Sequence, residues 1–273
     1  MSELNTVELI SLGAGRMASA IIGGLLQNKR YQPAQIACTC GEDPSGPDLA
    51  QRTGIIFARD IGQHIPTAST ILLACKPQQL DSLPGSYAQL TADKLVVSIL
   101  AGVTLKRLRA VFPAARNIVR SMPNTPGQIG AGVTAYAPMV ALAESDQLSL
   151  DAILGALGQF VQVDEDELDA VTALSGSGPA YVFAFVEALR DAGIQMGLSA
   201  GTASMLAVET LTGSSRLLKQ TGQTPQALRE AVTSPGGTTA AALRVFAEQD
   251  FAGLVARAME AARTRSVELG NGK

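Results

Sequence analysis

Gly13, Gly15 and Ala18 stand at the spacing Gly-x-Gly-x-x-Ala, directly after the apolar run Val7–Leu12. Gly13 can make the tight turn out of a strand. Gly15 lets the backbone approach a pyrophosphate, whose charge then meets the positive start of a helix. Ala18 keeps that helix close to the sheet. Such a turn between a strand and a helix binds a dinucleotide, and a dinucleotide brings hydride chemistry. A second candidate is Ser234-Pro235-Gly236-Gly237-Thr238-Thr239, between two expected helices. Gly-Gly before a helix start exposes amide donors suited to a small anion such as a carboxylate. Ser234, Thr238 and Thr239 add hydroxyls that can donate or accept. The same residues also read as a plain capping turn, with Thr238 or Thr239 as N-cap. A third helix entrance, Leu174-Ser-Gly-Ser-Gly-Pro-Ala-Tyr181, is a flexible turn or part of a shared site.

Composition narrows what these residues can do. The 273 residues include 27 Gly, one His and no Trp. One histidine excludes a two-His metal site, and His64 falls in an expected surface helix away from chemistry. Catalysis must therefore rest on backbone amides, hydroxyls or a bound cofactor. Cys38, Cys40 and Cys75 are an odd set with no disulfide framework, which suits a reducing cytosol. Cys38 and Cys40 are too close for ordinary zinc spacing and read as strand residues, so no metal site is expected. The net charge of −3 advertises no basic face for nucleic acid. Glu3 and Glu8 make the first ten residues a poor signal peptide. The longest uncharged stretch, 121–143, is interrupted by prolines and glycines, which argues against a membrane span. A cytoplasmic protein is expected.

The elements that must position these residues fall into two groups. Strand candidates are Val7–Leu12, Ile36–Thr39, Thr70–Cys75, Leu95–Leu100 and Asn117–Ser121. Helical patterns at Gly15–Gln27, Asp48–Arg52, Pro77–Tyr87 and Thr104–Val111 alternate with them. Continuous apolar strands alternating with helices predict a parallel sheet wound on both faces. Ala131–Ala137 and Phe160–Val163 add strands, joined by a helix from about Ser145. After the acidic cluster at Asp164 the strand signals stop. Helices are expected at Gly178–Ala192, with Tyr181, Phe185, Ala188 and Leu189 on one face, and at Ser199–Gln220. Three more are expected from the Thr224-Pro225 cap to Val232, at Thr239–Glu248 and at Phe251–Leu269. The sequence thus predicts an α/β Rossmann-type N-terminal domain, 1–162, followed by an all-α C-terminal domain, 163–273. Part of the apolar surface of these small-residue helices is expected to meet a second subunit.

The end of the second strand decides between NADPH and NADH. It reads Thr39-Cys40-Gly41-Glu42-Asp43, with no Arg or Lys inside it. Acids there lean towards the ribose hydroxyl of NADH, although Arg16 or Arg52 could approach.

Taken together, these segments resemble the pyrroline-5-carboxylate reductase family. The resemblance is carried by Gly13-Ala-Gly15-Arg-Met17, Cys75-Lys76-Pro77-Gln78, Met122-Pro-Asn-Thr-Pro126, Leu174–Tyr181 and Val232-Thr-Ser-Pro-Gly-Gly-Thr-Thr239. The ending Arg265-Ser266-Val-Glu268-Leu269 also looks like the family. The segments follow one another in order along nearly the whole chain.

The resemblance implies the last step of proline synthesis. Hydride passes from a nicotinamide to the imine carbon of 1-pyrroline-5-carboxylate, giving L-proline. It also implies a cofactor, NADPH or NADH, along Leu12, Gly13, Ala14, Gly15, Arg16 and Met17. Further cofactor contacts would come from Thr39, from Ala74, Cys75, Lys76 and Pro77, and from Ile99, Leu100 and Ala101. The amides of Gly236, Gly237 and Thr238, with Ser234, would hold the substrate carboxylate. The Thr239 hydroxyl would hydrogen-bond the ring nitrogen. The helical domain would build a homodimer, or a larger oligomer of dimers. Two departures fall in the adenosine half of the site: Cys40-Gly41-Glu42 replaces a polar or basic stretch, and Ile61 stands where many members have Asn.

These residue types suit an imine. Its nitrogen is readily protonated, and the protein's task is then to align two ligands and hold a carboxylate. Thr239 would orient the ring nitrogen and could relay its proton. Lys76 is either a charge-balancing group in the site or a surface lysine before a Pro-initiated helix. Tyr181 reads as interface packing rather than an acid. The nearest rivals are another imine reductase or a 3-hydroxyacid dehydrogenase of the same plan. The latter needs a lysine in the helical domain, where only Lys219 and Lys273 occur. A non-catalytic dinucleotide sensor would not need the SPGGTT segment.

Overall fold

The computed structural model describes residues 6–270 and divides into two compact units. The first comprises residues up to Ser177 together with those from Ala262 onward. Its strands are β1 (Leu9–Leu12), β2 (Ile36–Thr39), β3 (Ile56–Phe57), β4 (Thr70–Leu73), β5 (Leu95–Ser98), β6 (Asn117–Met122), β7 (Gly132–Pro138) and β8 (Gly158–Gln162). Its helices are α1 (Arg16–Gln27), α2 (Ser45–Thr53), α3 (Tyr87–Leu90), α4 (Leu105–Val111), α5 (Glu144–Gly155) and α6 (Leu168–Val171). The strands form one sheet in the order β3-β2-β1-β4-β5-β6-β7-β8.

Burial on both faces explains the continuous apolar runs. Every residue of β1, β4 and β5 is buried. Alternate residues feed two cores. Leu9, Leu72 and Val97 pack with Ile21, Ile22 and Leu25 of α1 and Ile153 of α5. Ile10, Ile71 and Val96 pack on the other face with Leu108 of α4, Phe112 and Tyr87. That is the doubly wound arrangement expected from the sequence.

The structure departs from the sequence expectation in four places. β6 and β7 pair antiparallel, so the sheet is mixed. The link between them is a 3-10 turn (Thr125–Ile129) closed by Gly130 in the left-handed region, too short for a parallel crossover. The helix expected over Pro77–Tyr87 is a 3-10 turn (Pro77–Ser82) and then α3, because Pro84 and Gly85 break it. His64 is not helical but precedes a 3-10 turn (Ile65–Thr67) that contains Pro66. β3, unforeseen, pairs parallel with Ala37 and Cys38 of β2.

The second unit, Gly178–Ala261, is helical. It holds α7 (Gly178–Gln195), α8 (Ala200–Thr221), α9 (Pro225–Ala231), α10 (Thr238–Glu248) and the first part of α11 (Phe251–Gly270). Ser199 and Thr224 cap α8 and α9, accepting the amides of Thr202 and Ala227. Gly193 and Ala203 bring α7 and α8 close. Tyr181, Phe185 and Leu189 each leave more than a third of their surface exposed, so this face of α7 is only partly covered within the chain.

The change of composition near Asp164 puts the sequence boundary at 162/163, whereas the compact units part at 177/178. Leu168 explains the offset, since it packs on Ala135 and Ala137 of β7. The last turns of α11 return to the first unit, where the Ser266 hydroxyl donates to Asp169 Oδ1 at 2.7 Å.

Candidate active site

β1 lies between β2 and β4, so its carboxyl end opens at the topological switch point of the sheet. The ladder runs one residue past each strand. The Gly13 amide donates to Thr39 O at 3.0 Å, and the Ala74 amide donates to Leu12 O at 2.9 Å. Gly13 has φ +120, and a Cβ there would stand 2.3 Å from Ala74 O. Only glycine lets the three strand ends close up in this way. Gly15 begins α1 with no side-chain cap and no acidic residue in the first turn, and a Cβ on Gly15 would meet nothing within 4 Å. The first-turn amides of α1 have no intrahelical acceptor, the space beside Gly15 is open, and the helix dipole favours an anion there. This tight cradle and uncapped helix start fit the pyrophosphate of a dinucleotide.

A cavity of about 560 Å³ opens from this edge. Of the sequence-selected residues, Leu12, Gly13, Ala14, Gly15, Thr39, Ala74, Cys75 and Lys76 line it. Lys76 is exposed, and its amide donates to Gln79 Oε1 at 2.9 Å to start the 3-10 turn led by Pro77. Arg16 lines a neighbouring hollow with Arg52. Met17 packs against the core instead. The turn at Ile99–Ala101 does not line the cavity. Ile99 packs against the core, Leu100 is buried with its amide on Ser98 Oγ at 3.3 Å, and Ala101 is exposed.

The far end of the cavity follows β2. There the Thr39 hydroxyl donates to Arg59 O at 3.2 Å, and Arg59 Nη1 donates to Gly41 O at 2.9 Å. The Arg59 guanidinium lies 5.9 Å from the Phe57 ring centroid. Asp43 Oδ1 accepts the Ser45 amide at 3.0 Å. Hydrogen bonds from Ser45, with the nearby Lys76 ammonium, hold the Asp43 carboxyl below its ordinary range. Burial pushes the Cys75 thiol up, and burial beside Cys40 pushes Cys38 up to about 11. Neither is a ready thiolate. Arg59 escaped the sequence reasoning because β3 has two residues, too few to show an alternating pattern. The local signal is the short apolar run Ile55-Ile56-Phe57 after Gly54.

In the helical unit, Ser234–Gly237 forms the turn from α9 to α10. Gly236 has φ +73, which favours glycine, and the Gly237 amide donates to Ser234 O at 3.0 Å. That amide, expected to be free for an anion, is therefore already used. Gly237, rather than Thr238 or Thr239, is the N-cap of α10, and no side chain caps the helix. The amides of Thr238 and Thr239 are in the first turn, where no intrahelical acceptor exists. Ser234, Gly236 and Thr238 are exposed, and Thr239 is half-buried.

Residues 8–102 match the model of the NADP oxidoreductase coenzyme F420-dependent family. Residues 165–269 match that of pyrroline-5-carboxylate reductase dimerisation. A pyrroline-5-carboxylate reductase of Synechocystis sp. is 42% identical over 269 residues, covering 97% of this chain and 99% of the relative. The chain belongs to the pyrroline-5-carboxylate reductase family. Solved structures agree. A pyrroline-5-carboxylate reductase from Coxiella burnetii superposes with a TM-score of 0.88 at 34% identity, covering 97% of this chain and 98% of that one. A Plasmodium falciparum pyrroline carboxylate reductase with NADP bound gives 0.85 at 28% identity, covering 98% and 99%. The Gly13–Gly15 turn lies within the first family match and the Ser234–Thr239 segment within the second.

Proposed function

We propose that residues 1–162 hold NAD(P)H along the carboxyl edge of β1, β2 and β4, and that 163–273 bind the substrate and join two subunits. The reaction is the reduction of 1-pyrroline-5-carboxylate to L-proline, the last step of proline biosynthesis. NAD(P)H supplies a hydride when bound, delivered to the imine carbon, while a proton remains on the ring nitrogen. Gly13 keeps the strand ends close, and the amides opening α1 take the pyrophosphate. In the helical unit the amide of Thr238, with Ser234 and Gly236, would take the substrate carboxylate. The Thr239 hydroxyl would hydrogen-bond the ring nitrogen and fix the face presented to hydride. A hydroxyl holds and relays a proton better than it supplies one, because its own acidity is too weak for general acid work. Lys76 would balance charge at the mouth of the cavity.

The observation that carries this reading is the Gly13 cradle beside an uncapped α1, in a chain of this family. No helix among the described residues is long and apolar enough to cross a membrane. We propose a cytoplasmic homodimer or an oligomer of dimers, supported by the match of 165–269 to a dimerisation model. The test is substrate-dependent cofactor oxidation by purified protein with NADPH and with NADH. Oxidation with either supports the reading. Oxidation of a 3-hydroxyacid in its place would favour the rival.

A further inference from the structure

We infer that Arg59 is the residue by which this chain recognises the 2′-phosphate of NADPH. The inference rests on the dinucleotide reading of the same cavity and deepens it.

In dinucleotide folds of this type, the group beside the end of the second strand reads the adenosine ribose. A carboxylate there takes the 2′-hydroxyl, and an arginine takes a 2′-phosphate. Within this chain's own second-strand segment there is no basic side chain. The structure supplies one from the neighbouring strand. Cys38 pairs with Phe57, and the Ala58 amide donates to Cys38 O at 3.1 Å, so the ladder runs on past the end of β3. That register brings Arg59 level with Cys40. The Thr39 hydroxyl then fixes the Arg59 carbonyl, and Arg59 Nη1 reaches Gly41 O across the gap.

Charge favours the same assignment. Arg59 is exposed, lines the cavity, and forms no ion pair among the described residues. Its guanidinium has further N–H donors beyond the one on Gly41 O, in the fork geometry that suits a phosphate. Of the two acids after β2, Asp43 has its carboxylate committed to the Ser45 turn that opens α2. Lys76 lines the same cavity and adds a second cation. Glu42 is the remaining competitor. It is exposed on the same wall and would favour a ribose hydroxyl if it did the reading.

The test is calorimetric binding of adenosine 2′,5′-bisphosphate and adenosine 5′-monophosphate to the full chain, without turnover. The wild type is expected to bind the bisphosphate at least tenfold more tightly. Arg59→Gln should lose at least tenfold for the bisphosphate and less than twofold for the monophosphate. Arg59→Lys should recover part of the loss, and unchanged thermal unfolding of the free variants would show that the fold is intact. A wild type that prefers the monophosphate, or equal losses for the two ligands in Arg59→Gln, would overturn the inference. So would a variant that keeps full affinity for the bisphosphate. Binding of both ligands with no such discrimination would remove Arg59 and leave the dinucleotide site standing. Failure of the wild type to bind either would remove both.

Discussion

Arg120 Nη2 meets Asp169 Oδ1 at 3.3 Å, and the guanidinium is almost wholly buried on β6. Glu165 Oε1 faces its other nitrogen at 3.4 Å and also accepts the Leu105 amide, which begins α4. The Ser266 hydroxyl shares the Asp169 oxygen, so one carboxylate joins α6, the sheet and the returning end of α11. Asp169→Ala would leave Arg120 with half of its compensation. The expected loss is about 2 kcal/mol of unfolding free energy, the scale of a hydrogen bond to a charged group. Urea denaturation measures it, and Asp169→Asn should lose less. An unchanged midpoint for Asp169→Ala would show that the network is incidental.

The two glycines of the phosphate turn should fail differently. Gly13→Ala places a side chain at φ +120 and into Ala74 O. The backbone strain alone costs roughly 1–3 kcal/mol, so the free protein should melt at a lower temperature. Gly15 has φ −66 and open space around it. Gly15→Ala should cost the free protein at most about 1 kcal/mol, as a change of N-cap. It should nevertheless weaken NADP⁺ binding, because the methyl stands where the pyrophosphate approaches. Thermal unfolding with and without NADP⁺ separates the two, and identical behaviour would contradict the geometry.

Thr239 sits in the first turn of α10, behind the Gly236-Gly237 turn. Thr239→Val keeps the shape and removes the hydroxyl. kcat/KM for the imine should fall tenfold or more, about 1.4 kcal/mol. Thr239→Ser should restore most of it, and the dissociation constant of NADPH should not move. Wild-type steady-state kinetics in the valine variant would take Thr239 out of the mechanism.

The buried thiol of Cys38 makes a prediction about alkaline pH. Burial, with Cys40 nearby, raises it from 9.0 to about 11. The folded state then keeps a proton that the unfolded state has lost. Its contribution to stability is complete below pH 9 and is lost as pH rises towards about 11. Tyr31 and Tyr87 are also pushed up by burial and add to the same decline. The Lys94 ammonium, pushed down by burial, works against it. Denaturation of wild type and Cys38→Ala across this range isolates the thiol. The wild type should lose stability more steeply, and parallel curves would contradict the assignment.

Much of the fold was legible because burial writes itself into residue type. The run Ile36–Thr39 predicts a strand and forms one over those same residues, since a strand buried on both faces must be mostly apolar. The caps at Ser199 and Thr224 were legible because a short hydroxyl side chain before a helix has one efficient use. What stayed hidden depends on contacts between distant segments. The antiparallel β7 follows from the length of one turn. Leu100 turns inward because Ser98 holds its amide. Arg59 reaches the end of β2 only through the pairing of a two-residue strand. The Gly13 turn and the helix start at Gly15 depend on local spacing, which is why the sequence shows them without the sheet.

The central claim is a hydride transferred from the nicotinamide to the imine carbon of 1-pyrroline-5-carboxylate. Its most direct test uses NADPH and NADH, each deuterated at the transferable position, with mass spectrometry of the product. One deuterium on the δ carbon of L-proline, in proportion to cofactor oxidised, is the expected result. Unlabelled proline, or no proline while the cofactor stays reduced, would contradict the account.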